Sequence, residues 1–156
     1  MVFWVPLCML CALHPKHRQH FSVNQWSNAC TMRKVFLIDD DFDDQEFFSI
    51  AIKNLNQQNE CIFAADGEAG LELIKKDEAF VPDYVFIDQN MPRMTGLECL
   101  AEIKKMDRFR DTPVYMYSTS DNPNTMEDSK KLGATGFIVK PSGLQVLVEI
   151  LKVIVR

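Results

Sequence analysis

No apolar run in this chain approaches the ~18 residues that a membrane-spanning helix needs. Nor is there a surplus of positive charge: 17 Lys and Arg stand against 22 Asp and Glu, a net charge of -5. A protein that grips a phosphate backbone carries a basic stripe, so direct nucleic-acid binding is set aside. There is no internal repeat, no low-complexity tract and no sign of a second domain. What remains is 156 residues, 47% of them hydrophobic, enough for one well-buried core.

Acid is missing altogether from residues 1–32, which hold Lys16 and Arg18 and leave 15 bases and 22 acids to the rest. Three of the five cysteines, Cys8, Cys11 and Cys30, also fall there. The start, MVFWVPLCMLCAL, is apolar but broken by Pro6. Its basic residues come after the apolar run and no Ala-x-Ala pattern follows, the reverse of a secretory signal. Cys8, Cys11, His14, His17 and His20 recur every third residue, but ligand spacing without flanking structure makes no defined tetrahedral site. Residues 1–31 are therefore read as an unstructured leader or a non-native extension, with Met32 as a candidate natural start. Cys61 and Cys99 sit in apolar-patterned stretches, as buried thiols of a reducing compartment do.

From residue 33 short apolar strands alternate with helical patterns. Strands are expected at 35–38, 61–65, 84–87, 114–117 and 136–139. Helices are expected at 43–56, around 69–74, at 96–106, at 123–132 and at 143–155. Fully apolar strands joined by helices mean a parallel sheet covered on both faces, an α/β doubly wound (βα)5 architecture. Sheets of this kind bind ligands at the carboxyl ends of their strands.

Four strand ends are polar in an informative way. Asp39, Asp40 and Asp41 follow the first strand. Asp88 follows the third, Ser118, Thr119 and Ser120 the fourth, and Lys140 and Pro141 the fifth. Alone, each would be an ordinary loop residue, and Asp43 or Asp44 reads as a helix cap. Together they form a chemical set. Clustered carboxylates suit Mg²⁺, a hard cation that takes one or two of them and keeps several waters. A further Asp can attack a phosphoryl group, and a lysine and a hydroxyl can neutralise its oxygens. A divalent cation would offset the repulsion among the aspartates.

The stretches LIDDD, PDYVFIDQNMPRMTGLE, TPVYMYSTSDNP and GATGFIVKP resemble the response-regulator receiver domains of two-component signalling, a CheY-like family, over residues 32–156. The resemblance implies a five-stranded flavodoxin-like sheet in the order 2-1-3-4-5. It implies that Asp88 accepts a phosphoryl group from a sensor histidine kinase or a histidine phosphotransfer protein. Mg²⁺ would be held by Asp39, Asp40, Asp88 and the main-chain carbonyl of Asn90. Ser118 and Lys140 would hydrogen-bond the phosphoryl oxygens, and the Lys140–Pro141 bond would be cis. Phe137 stands at the position of a switch aromatic, often Tyr. Asn90 and Ser120 would tune dephosphorylation.

The same resemblance implies a cytoplasmic signalling switch rather than an enzyme with turnover. The surface of helix 4, strand 5 and helix 5 would report the phosphoryl group to an unknown downstream protein, or form a homodimer. With the sequence ending in its last helix at Arg156, action by binding a partner, by relaying the phosphoryl group onward or by dimerising through that surface is expected. The helix-one face near Phe47 and Phe48 would dock the kinase. Two alternatives stand beside this reading. A phosphatase of the haloacid-dehalogenase type uses similar groups but needs an acid where this chain has Asn90. A pseudo-receiver would bind its partner without phosphorylation, against the intact Asp88 and Lys140.

Overall fold

The computed structural model describes residues 32–56 and 58–156. The leader and its Cys and His spacing lie outside the described residues. Strands β1 (Lys34–Ile38), β2 (Glu60–Ala64), β3 (Tyr84–Ile87), β4 (Val114–Ser118) and β5 (Gly136–Val139) alternate with helices α1 (Phe42–Leu55), α2 (Gly67–Lys76), α3 (Gly96–Lys104), α4 (Pro123–Lys131) and α5 (Leu144–Ile154). The strands form one sheet in the order β2-β1-β3-β4-β5, parallel throughout. Fold class and strand order are those expected from the sequence.

The central strands β1, β3 and β4 are buried on both faces, so their alternate residues feed two cores. Phe36, Ile38, Val85, Ile87, Val114 and Met116 pack beneath α2 and α3 with Leu71, Ile74, Leu100 and Ile103. Val35, Leu37, Phe86, Tyr117 and Ile138 pack beneath α1 and α5 with Phe48, Ile52, Leu147 and Leu151. Edge-to-face contacts of Phe48 with Phe86 and Tyr117 knit the second core. Phe48 is thus a core residue and Phe47 is half-buried against the same cluster, so the Phe48 ring is not open to a docking partner. The solvent-facing aromatic of α1 is Phe42, 72% exposed.

Helix starts follow local chemistry. Asp41, not Asp43 or Asp44, caps α1 by accepting from the amides of Asp43 and Asp44. Thr95 and Glu98 form a reciprocal capping box on α3. Asn122 caps α4, with Pro123 as its first residue. At the opposite rim, Asp83 binds the Arg33 side chain and the Lys34 amide. Next to it the Tyr84 hydroxyl accepts from the Arg156 amide and donates to the Arg156 carbonyl.

Candidate functional site

The strand order reverses between β1 and β3, and this switch point is where a doubly wound sheet opens a crevice. Asp39 and Asp88, the first residues after these two strands, flank it. Both are buried, at 0% and 4% exposure. Their backbones are fixed by the sheet: the Asp88 amide donates to the Ile38 carbonyl and the Asp39 amide to the Ala64 carbonyl. Their side chains are fixed by the loops that follow. Asp39 Oδ1 accepts from the Asp41 amide at 3.0 Å, and Asp88 Oδ2 from the Asn90 amide at 2.6 Å. Gln45 Nε2 reaches back to the Asp39 carbonyl at 2.7 Å.

Lys140 joins these carboxylates from the far side of the sheet. Its amide donates to the carbonyl of Ser118, the last residue of β4, which sets its backbone beside that strand. Its Nζ lies 2.8 Å from Asp39 Oδ2, 2.9 Å from Asp88 Oδ1 and 2.7 Å from Asp44 Oδ2. The Tyr117 ring also faces it, 5.2 Å from Nζ to the centroid. Ser118 is fully buried at the same rim, and its Oγ accepts from the Ser120 amide. Asp40 is exposed at the mouth of the crevice.

Electrostatics follow from this packing. Burial pushes the Asp39 carboxyl above its ordinary value, against the opposing pull of Lys140 and the Asp41 amide. Burial alone would lower Lys140, but its bonds to Asp39, Asp44 and Asp88 outweigh that and hold it above the usual lysine range. Burial likewise raises the Tyr117 phenol. One ammonium therefore answers three carboxylates, with Asp40 nearby. Among the described residues, no ready-made group of three Asp, Glu, His or Cys forms a metal cage. A hard divalent cation needs only one or two carboxylates and water, so the oxygen-only donors and surplus negative charge fit one.

The loop carrying Asp88 is shaped by its neighbours. Met91 is buried, and Arg93 adopts a left-handed backbone, φ 67°, while pairing with Asp66 and Glu68 at the start of α2. Gly96 is required by close approach. A Cβ there would collide with the Asp88 carbonyl and lie 2.7 Å from Met116 Cε. Phe137 is half-buried and packs on the core that contains Met116. The Lys140–Pro141 bond is trans, among described residues with no cis peptide, which corrects that expectation. The two isomers of an X–Pro bond differ by only about 0.5–1 kcal/mol, so the local sequence does not dictate which one is present.

The structure thus brings Asp39, Asp88, Ser118 and Lys140 together, with Asp40 at the edge. Two participants escaped the sequence reading. Asp44 looked like a cap but pairs with Lys140, and Tyr117 looked like core but also faces the ammonium. A first-turn acid beyond the actual cap was the available signal for Asp44.

Sheet order and rim together define a flavodoxin-like α/β protein with its polar groups gathered at the switch point. This chain belongs to the response regulator receiver domain family, whose model matches residues 35–152. It is 37% identical over 110 residues to the chemotaxis protein CheY of Listeria monocytogenes, covering 70% of this chain and 87% of that protein. Among solved structures it resembles the phosphorylated cyanobacterial phytochrome response regulator RcpA. That likeness has 30% identity and a TM-score of 0.72, over 80% of this chain and 91% of that one. It also resembles the Mn²⁺-bound form of the response regulator Rcp1, at 25% identity and a TM-score of 0.69, over 78% and 91%. The chain is therefore a receiver domain of two-component signalling.

Proposed function

We propose that this receiver accepts a phosphoryl group on Asp88 from a histidine kinase or a histidine phosphotransfer protein and signals through the surface of α4, β5 and α5. The observation that carries this reading is the buried Asp88 carboxylate. It is oriented by the Asn90 amide and held 2.9 Å from the Lys140 ammonium at the switch point. An Asp88 oxygen attacks phosphorus, the P–N bond of the phosphohistidine breaks, and the departing imidazole keeps the electron pair and takes up a proton. The product is a mixed anhydride on Asp88.

Lys140 and the Ser118 hydroxyl hydrogen-bond the new oxygens. The phosphoryl group brings about -1.5 to -2 of charge and three acceptors into a site already rich in acid. Asp39, Asp40, Asp88 and the Asn90 carbonyl are the residues that would hold Mg²⁺, which when bound neutralises charge on the transferred group. The metal in Rcp1 and the phosphoryl group in RcpA support this assignment by likeness. Release of the Ser118 hydroxyl from the Ser120 amide would draw the loop after β4 inward and let Phe137 follow.

The experiment is incubation with acetyl phosphate or phosphoramidate, with and without Mg²⁺, read by intact mass. An aspartyl-phosphate is expected on wild type and none on Asp88→Asn. Label on that variant refutes the acceptor, and equal labelling after chelation refutes the metal.

A further inference from the structure

Lys140 has a partner outside the strand ends. Asp44 lies in the first turn of α1, and its Oδ2 is 2.7 Å from Lys140 Nζ, the shortest of the three ion pairs. An ammonium has three N–H bonds; two go to Asp39 and Asp44, and Asp88 Oδ1 stands 2.9 Å away as the third ion-pair partner. The Tyr117 ring closes a further side. A phosphoryl oxygen on Asp88 must compete for this nitrogen with the carboxylates already hydrogen-bonded to it.

The three carboxylates are not equally free to let go. Asp39 is sealed in place, with a side chain 1% exposed and held by the Asp41 amide. Asp88 is 6% exposed at its side chain, held by the Asn90 amide, and would itself carry the phosphoryl group. The Asp44 side chain is 34% exposed and stands beside water. Released from Lys140, it rehydrates at little cost, whereas a sealed carboxylate would not.

Resting on the proposed role of Asp88, we propose that Asp44 is a positioning residue that holds the Lys140 ammonium at rest and competes with phosphoryl oxygens for it. Its charge also repels the arriving anion while adding to the attraction for a cation. Removing that charge should therefore move two affinities in opposite directions. Loss of a merely structural contact would not do this.

The test is isothermal titration of the full chain with beryllofluoride at saturating Mg²⁺, and separately with Mg²⁺ alone. The proteins are wild type, Asp44→Asn, Asp44→Glu and Asp88→Asn. Asp44→Asn is expected to bind beryllofluoride about three- to tenfold more tightly and Mg²⁺ about two- to fivefold more weakly. Asp44→Glu, which keeps the charge, should stay near wild type in both. Unchanged or weaker beryllofluoride binding by Asp44→Asn overturns the competition. So does an Asp44→Glu that follows Asp44→Asn, since helix geometry would then be the cause. A wild type that fails to bind beryllofluoride, or an Asp88→Asn that binds it equally well, overturns the Asp88 reading on separate grounds.

Discussion

Lys140→Met puts the rim to its hardest test, because the side chain stays linear and only one heavy atom shorter while it loses the charge and the N–H donors that Asp39 and Asp44 use. Its Nζ now answers Asp39 and Asp88, whose side chains are 1% and 6% exposed, and Asp44, which borders water. Removing one partner of a buried ion pair typically costs about 3–5 kcal/mol, since the remaining charge stays buried without compensation. Methionine fills the vacated volume and each buried carboxylate keeps one amide donor, so the lower figure, about 3 kcal/mol, is expected near pH 8. With an m-value of about 1–3 kcal/mol/M, the urea midpoint should fall by roughly 1–3 M.

The pH dependence carries a sign. Asp39 already sits above its unfolded value through burial, and without Lys140 it rises further. A carboxyl raised on folding stabilises the fold below its unfolded value of about 3.9 and loses that contribution as pH climbs through the folded one. The deficit of Lys140→Met should therefore be largest at pH 8 and smaller at pH 4.5. Adding Asp88→Asn removes one of the facing charges and should recover about 1 kcal/mol at pH 8. Urea titrations followed by circular dichroism at both pH values supply the comparison. A deficit equal at the two pH values, or no recovery in the double variant, would refute this account of the cluster.

Two further outcomes are expected. Gly96→Ala forces a methyl group against the Asp88 carbonyl and Met116, so it should lower stability by about 1–3 kcal/mol and the melting point by roughly 5–10 °C; a melt within 1–2 °C of wild type would mean the loop yields freely. Burial raises the Cys61 and Cys99 thiols to about 12; Cys99 is buried and Cys61 half-buried, so peptide-mapped alkylation at pH 8 should leave Cys99 unlabelled until urea is added and label Cys61 only slowly, and rapid native labelling of Cys99 would contradict its burial.

The fold was legible because the strands are short, mostly apolar runs and four of the five helices open on a capping side chain. A parallel sheet buried on both faces writes itself in that form, and Asp39, Asp88 and Lys140 then fall at strand ends by counting alone. Short-range ambiguity hid the rest. Five aspartates within six residues offered several plausible caps, and only the turn that lets Asp41 reach the amides of Asp43 and Asp44 frees Asp44 for a lysine 96 positions away. Phe47 and Phe48 are adjacent, and a helix must bury one more deeply than the other. Which one depends on how α1 rolls against Phe86 and Tyr117.

Arg33 and Lys34 meet Asp83 where Tyr84 clasps Arg156, so the two outer ends of the described body are neighbours. They lie a full strand, about 13 Å, behind the acidic rim. A fluorophore or a fused module grafted at either end would hang from the back of the sheet and leave the crevice open. Two such grafts would sit close enough to report on each other by energy transfer while the acidic rim stays accessible from the other side.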